Sequence, residues 1–403
     1  METRRGKILN DTEILFKFLH DEAIRIHCKS HNKSEKHVSE ERFTTEGIRY
    51  TGSKREIIPR IVNMIHTHCT DVHTVLDACA GTTRVSQALR KNNFSVTAND
   101  LAEYTKTFAT CYLKNTKEAS YYEPWITHLN HLKGFDGWFT ENYGGIVTDH
   151  KDGNAIQNDG QKRPWQKHNT QRLDAILSEI PKLTQDPIEQ AVLKTSTILA
   201  MDRVDNTMGH QVAYLKKWPK RSHQSIQLRV PALIPNGEPC FVSQKSIFDI
   251  DQQYDLVYLD PPYGTNNQKT KTTRVRYRSY YHLWTTVCKN DHPSLHGRSL
   301  RRYDASSDSL PGGISVFEST DHGTVFEATT NLIKQLNCKY VMFSYANKAK
   351  LSERDLREIF GQYKLLDFAA FDHKENAMRH ATVNSDWLGD QGKNQEFLIL
   401  IEK

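Results

Sequence analysis

Apolar residues first recur at helical spacing at Ile57, Ile58, Ile61, Val62 and Ile65, which predicts a helix with Pro59 tolerated in its first turn. The run Val72 to Leu76 reads as a strand, and Val85, Ala88 and Leu89 mark the helix after it. A second strand is predicted from Phe94 to Ala98, ending at Asn99-Asp100. This succession begins an alternating α/β domain with a parallel sheet. From about residue 120 to 235 the alternation stops, and the chain becomes polar, aromatic and largely helical, with turn signals at Gly144-Gly145 and Asp152-Gly153. Strand patterning resumes at Tyr254–Leu259 and recurs in Lys339–Ser344, Leu365–Phe371 and Phe397–Ile401, which complete the sheet. The reading is therefore an α/β sheet domain formed by 46–119 and 236–403, interrupted by a helical insert at 120–235 and preceded by an extension at 1–45. Residues 264–320 form a long basic and polar excursion, assigned to substrate handling because loops of such length are seldom purely structural.

Composition narrows the class without naming a partner. The 403 residues are 37% hydrophobic and carry 54 Lys and Arg against 48 Asp and Glu, so the net charge of +6 mildly favours an anionic partner. The seven cysteines, Cys28, Cys69, Cys79, Cys111, Cys240, Cys288 and Cys338, are scattered and never form Cys-x-x-Cys, so neither a disulfide framework nor a zinc ribbon is indicated. His66, His68, Cys69 and His73 match no closed zinc spacing and are read as ordinary residues at a helix end, so no metal site is expected. No stretch approaches the ~18 apolar residues needed to span a bilayer, and the expectation is a soluble, cytoplasmic protein with no membrane partner.

Asp260-Pro261-Pro262-Tyr263 follows the strand Tyr254–Leu259 directly, at the carboxyl end where open α/β sheets bind ligands. These residue types suit methylation of an exocyclic amino group, whose lone pair is delocalised into the ring. An acceptor on each amino hydrogen draws density back to nitrogen, and Asp260 with the Pro261 carbonyl would supply both. Tyr263 would stack on a base turned out of its helix, at ~1–3 kcal/mol, against the few kcal/mol lost on unstacking. A sulfonium methyl donor is already activated, so positioning is the main task and no metal is required.

Two other segments suit a cofactor. Asp77-Ala78-Cys79-Ala80-Gly81 is a strand-to-helix turn of small residues that lacks the full Gly-x-Gly-x-x-Gly loop, which favours an adenosyl ligand without phosphate over a dinucleotide. Asp100 is placed to meet a ribose hydroxyl. An ordinary βα connection is the competing reading of that turn. Tyr50-Thr51-Gly52-Ser53-Lys54-Arg55 precedes the first helix, where free N–H groups and Lys54 could hold a carboxylate, or where Ser53 could simply cap the helix.

The order Tyr-x-Gly-x-Lys, Asp-x-x-x-Gly, insert, Asp-Pro-Pro-Tyr resembles the alpha class of DNA adenine methyltransferases, which includes the Dam enzymes and many restriction-associated methylases. Arg172 to Ile176, Asp205 to His210, Ala213 to Trp218, Tyr280 to Trp284 and Phe343-Ser344-Tyr345 look like the same group. The resemblance spans residues 46–403. It implies a Rossmann-like S-adenosylmethionine-dependent methyltransferase sheet with an inserted target-recognition lobe, acting on adenine in double-stranded DNA by base flipping. It also implies a restriction-modification or other defence role, in which a cognate endonuclease acts separately.

By that resemblance Asp260, Pro261, Pro262 and Tyr263 are catalytic. Tyr50, Thr51, Gly52, Lys54, Asp77, Cys79, Gly81, Asp100, Ser246 and Ile247 line the cofactor pocket, with Ile247 against the adenine ring. Cys79 replaces an aromatic residue of the pattern, Thr83 replaces its second glycine, and Ile247 stands where an aromatic or acidic residue is often seen. Basic and aromatic residues interleave after the catalytic motif, and Arg274, Arg276, Arg278 and Tyr281 are assigned to DNA, as are Lys216 and Lys217. A solvated basic loop followed by a helix with core aromatics is the competing reading of the former, and a charged helix end that of the latter. Methylation of the cytosine amino group and methylation of adenine in RNA remain open on the residues alone, whereas the intact Asp260-Pro261-Pro262-Tyr263 speaks against a silent nucleic-acid-binding relative and the missing glycines disfavour a dinucleotide dehydrogenase.

Overall fold

Seven strands form one sheet in the computed structural model, which describes residues 40–147, 153–263, 276–305, 315–372 and 395–403. In chain order they are β1 (Thr74–Asp77), β2 (Ser95–Asn99), β3 (Phe241–Ser243), β4 (Tyr254–Leu259), β5 (Cys338–Ala346), β6 (Lys364–Asp372) and β7 (Gln395–Glu402). Their spatial order is β6-β7-β5-β4-β1-β2-β3. All neighbours pair in parallel except β7, which runs antiparallel between β5 and β6. The chain leaves β1 toward β2 on one side, while β4 pairs on the other. The order therefore switches at the β1–β4 junction, opening a crevice beyond their carboxyl ends.

The central strands are continuously apolar because helices cover both faces. Alternate residues divide between two cores. Leu76, Val257, Leu259, Val341, Phe343 and Ile399 pack with Leu332, Ile333, Leu356 and Phe360 of helices His322–Gln335 and Glu353–Phe360. Val75, Val96, Leu256, Tyr258, Met342 and Leu398 face Ile61, Ile65 and Leu89 of helices Ile58–His68 (α1) and Arg84–Lys91 (α2). Asp255 is the polar exception in β4. It accepts from the N–H groups of His73 (2.9 Å) and Thr74 (2.7 Å) and the Thr74 hydroxyl (2.8 Å), fixing the start of β1.

The segment between β2 and β3 is helical, as its patterning predicts: Glu103–Ala109, Ala119–His131, Trp138–Tyr143, Lys167–Leu183 and Pro187–Arg203. Its core, built on Tyr122, Phe139, Trp165, Leu173, Ile176 and Val192, also takes in Ile48, Tyr104, Tyr281 and Trp284. Asp174 accepts from the N–H groups of Phe139 and Thr140, both at 2.9 Å, and from the Thr140 hydroxyl at 2.6 Å, so it caps the helix Trp138–Tyr143. Arg172 donates to the carbonyls of Ile226 (2.7 Å) and Asn130 (3.0 Å). Arg172 and Asp174, singled out in the sequence, thus hold the insert together.

One strand of the sheet escaped the sequence reading. β3 is only three residues long, and Phe241 on it is 55% exposed, so it carries no burial alternation to detect. Within the basic excursion the described residues include a helical turn at Tyr277–Tyr280 and a helix at His282–Lys289, the latter agreeing with the competing reading of a helix with core aromatics. Among the described residues, no helix is long and apolar enough to cross a membrane.

Candidate active site

The β1–β4 register sets Asp77 beside Tyr258, so the two strands end side by side and release their loops into one cavity of about 700 Å³. The turn after β1 carries Gly81 at φ 49°, with the Tyr50 ring 3.3 Å from where a Cβ would sit. Its N–H donates to Asp100 Oδ2 (2.9 Å), while Asp100 Oδ1 accepts from Ala102 N–H (2.9 Å). Both oxygens of Asp100 are thereby oriented, and each keeps a further lone pair. Asp77 is buried and spends Oδ2 on the Ser86 N–H (3.1 Å) and hydroxyl (2.5 Å), which locks α2 to β1. Burial pushes its carboxyl up to about 7, against the Ser86 hydrogen bonds.

The far wall begins after β3. Ser246 Oγ accepts from Phe248 N–H (3.3 Å) and so turns Ile247 and Phe248 toward the cavity, where Phe248 stacks on Phe317 at 5.8 Å. The Tyr50–Lys54 segment closes another side. Tyr50 stacks on Tyr281 at 4.3 Å, the Tyr281 hydroxyl accepts from Thr51 N–H (2.7 Å), and the Tyr277 hydroxyl donates to Thr51 O (3.1 Å).

Asp260, Pro261, Pro262 and Tyr263 leave β4 into this space. Lys54 is 7% exposed, and its ammonium meets Asp260 Oδ1 at 2.9 Å, Glu396 Oε1 at 2.8 Å and Tyr263 Oη at 3.0 Å. Three oxygens thus satisfy its three N–H groups. Burial opposes the charge on Lys54, yet Asp260, Tyr263 and Glu396 raise its pKa well above the usual lysine value. The Asp260 carboxyl is pushed up by burial, with Lys54 opposing and Glu396 adding, because two carboxylates share one cation.

A family model described as D12 class N6 adenine-specific DNA methyltransferase matches residues 50–332, which takes in the cavity's first loops and the Asp-Pro-Pro-Tyr motif. The chain belongs to this family. Modification methylase StsI of Streptococcus sanguinis is 25% identical over 359 residues, 84% of this chain and 50% of that protein. Modification methylase LlaI of Lactococcus lactis subsp. lactis is 23% identical, covering 88% of this chain and 55% of that one. Type II methyltransferase M.NlaIII of Neisseria lactamica is 23% identical, with 88% and 99% covered. The chain thus spans about half the length of the first two and nearly all of the third. Magnesium protoporphyrin IX methyltransferase from Synechocystis, solved with bound SAM, superposes with a TM-score of 0.28 at 8% identity, covering 99% of this chain and all of that one. That match is too loose to transfer any residue's role.

On this D12-family frame the ten residues assigned to the cofactor, from Tyr50 to Ile247, all line the one cavity, as do the four of the Asp-Pro-Pro-Tyr motif. Two expectations about the Tyr50–Arg55 loop change. α1 starts at Ile58 with Ile57 at its cap, so Ser53 caps nothing and the loop is not the helix N-terminus. Lys54 lines the cavity, but its ammonium is engaged by protein carboxylates.

Tyr281 requires correction. It is 1% exposed and packs between Tyr50 and the insert's core, so it backs Tyr50, which lines the cavity, and is not placed to meet DNA. Arg278 is exposed and lines the cavity, Arg276 lies just before it, and Lys216 and Lys217 are exposed on the segment that bridges to Asn154. Arg274 lies outside the described residues. Thr83 occupies the left-handed region at φ 61°, the conformation that explains why the family pattern has glycine there.

His68 pairs with Asp367 at 3.0 Å, and His66 stacks on Phe94. Glu396, Glu318, Phe248 and Phe317 were missed. No local signal in the sequence marks any of them as part of a site assembled from distant segments.

Proposed function

We propose that this chain transfers a methyl group from S-adenosylmethionine to the exocyclic amino nitrogen of adenine at a specific site in duplex DNA, with the base turned out of the helix. The observation that carries the reading is the convergence of Asp260-Pro261-Pro262-Tyr263 with the Gly81 turn and Asp100 in one cavity.

The cavity suits an adenosyl ligand. Its volume lies within the ~300–1,000 Å³ of small-molecule sites, Ile247 and Phe248 give an apolar wall, and Asp100 offers oriented acceptors that suit hydroxyls and repel phosphate. Asp100 would hold the ribose, Ile247 and Phe248 the adenine, and the Tyr50–Gly52 loop the amino-acid end. The bound donor supplies an electrophilic methyl group. Asp260 and the Pro261 carbonyl each accept one amino hydrogen and aim the nitrogen lone pair, and Tyr263 packs against the extruded base. Because the donor is already activated, the proposed step needs no metal.

Residues 120–235 are proposed to read the sequence, with Arg276, Arg278, Lys216 and Lys217 gripping phosphates. The relatives' names, modification methylases and Type II methyltransferases, support a restriction-modification setting; a separate endonuclease and a cytoplasmic location beside DNA are part of the proposal. The test is incubation with labelled S-adenosylmethionine and unmodified genomic DNA, then nucleoside mass spectrometry and single-molecule sequencing. N6-methyladenine in one sequence context is the expected product. Methylcytosine, or label only on RNA, would replace the reading.

A further inference from the structure

Glu396 stands at the start of β7, outside the segment matched by the family model. It is 4% exposed, and its carboxylate faces the site. Oε1 takes Lys54 Nζ at 2.8 Å and the Ser344 hydroxyl at 2.7 Å, and Oε2 lies 3.5 Å from the Tyr263 hydroxyl. A carboxylate buried at this depth costs stability unless its partners are well placed, and a lone Lys54–Asp260 pair would already be neutral without it.

We propose, resting on the reading above, that Glu396 is a positioning residue for methyl transfer. Backed by Ser344, it holds Lys54 so that Asp260 is anchored by one oxygen, presents the other to the amino group, and sits in a site carrying one excess negative charge. Two carboxylates face one ammonium, so that excess remains when the Lys54–Asp260 pair is counted as neutral. The charge has a use. As the nitrogen–methyl bond forms and the carbon–sulfur bond breaks, the sulfonium's positive charge passes to the amino nitrogen, which then loses a proton through Asp260 to water. A neutral site would meet that charge with no compensation.

The other groups facing this cluster are Tyr258 from β4, Tyr263 from the loop after it, Tyr277 from the helical turn, Asp77 from β1 and the Cys79 thiol from the turn after β1. Asp77 is the other carboxyl among them, so the excess negative charge at Asp260 depends chiefly on Glu396.

The experiment compares the wild type, Glu396→Gln and Ser344→Ala. For each, kcat and the pH profile of kcat/KM are measured on DNA containing the recognition site, and the dissociation constant of S-adenosylmethionine is measured by calorimetry. Glu396→Gln keeps the shape and loses the charge. Its kcat should fall about tenfold, less than the ~10²–10³-fold lost with a group that contacts the developing charge directly. Its acidic limb should move to lower pH, and its cofactor affinity should stay unchanged. Ser344→Ala removes a donor whose dipole offsets the Glu396 charge, so Asp260 meets more negative charge and the limb should move to higher pH. It is the milder change and decides the matter if Glu396→Gln fails to fold. Limbs that coincide with the wild type, whatever the loss of kcat, would leave Glu396 a structural ion-pair partner and overturn the proposal. A folded wild type that makes no methyladenine would instead overturn the reading on which it rests.

Discussion

Asp77 is a carboxyl placed where its charge is costly, and replacing it by Asn has a calculable consequence. It is 1% exposed, and burial pushes its carboxyl up to about 7 from an ordinary 3.8, with Asp260 and Asp100 adding to the shift and Ser86 opposing it. A carboxyl whose folded-state pKa lies above its unfolded value binds its proton more tightly in the folded protein. Its contribution is therefore most favourable below the unfolded value and is lost as pH rises through the folded one. Between pH 5.5 and pH 8 the folded form must ionise in place, while the unfolded chain is already ionised. With those two values, linkage assigns this group a loss of about 2 kcal/mol over the interval. The amide of the Asp77→Asn variant does not titrate and still offers Ser86 an acceptor oxygen. Urea unfolding of the cofactor-free protein at both pH values should show the stability of Asp77→Asn, relative to wild type, improving by about 2 kcal/mol from pH 5.5 to pH 8. Taking the difference between the two proteins cancels the other titrating groups. A difference that stays constant with pH, or that moves the other way, would mean that Asp77 is ionised at an ordinary pKa and that burial does not control it.

Asp260→Ala should lower kcat by at least ~10³-fold while S-adenosylmethionine still binds, measured by radiolabel transfer and calorimetry; retained turnover would remove Asp260 from the chemistry. The wild-type kcat/KM should fall with acidification below about pH 7, since Asp260 is pushed up to about 7 and, once protonated, loses the charge that makes it a strong acceptor for the amino group; a rate that is flat down to pH 5 contradicts this. Tyr281→Phe should cost about 1 kcal/mol of stability by leaving the Thr51 N–H without its acceptor, and should leave the salt dependence of DNA binding unchanged. Lys216→Ala with Lys217→Ala should instead reduce the slope of log affinity against log salt by about 2, and an unchanged slope would place both lysines off the DNA.

Much of this protein was legible before any coordinates. The strands at Asp77, Asn99 and Leu259 follow from local apolar runs, because a sheet covered on both faces must be built from continuously buried strands. Asp260-Pro261-Pro262-Tyr263 is legible because its chemistry needs four adjacent residues at a strand end. The small residues around Gly81 are legible because a close approach to backbone excludes larger side chains. The insert's helical character also shows in its patterning.

Other features depend on where distant segments meet. Tyr281 reads as one of a basic-aromatic series, and only its burial against Tyr50 makes it the support behind the cavity wall. Lys54 reads as a free cation at a loop, and only the return of β7 beside β5 brings Glu396 to it. Phe241 in β3 pairs with Thr97 of β2 across the whole insert, through three residues too few to carry a pattern. Chemistry confined to a short word is written in the sequence by itself. Charge, burial and pairing are sums over neighbours, and those neighbours are chosen by the order of the strands.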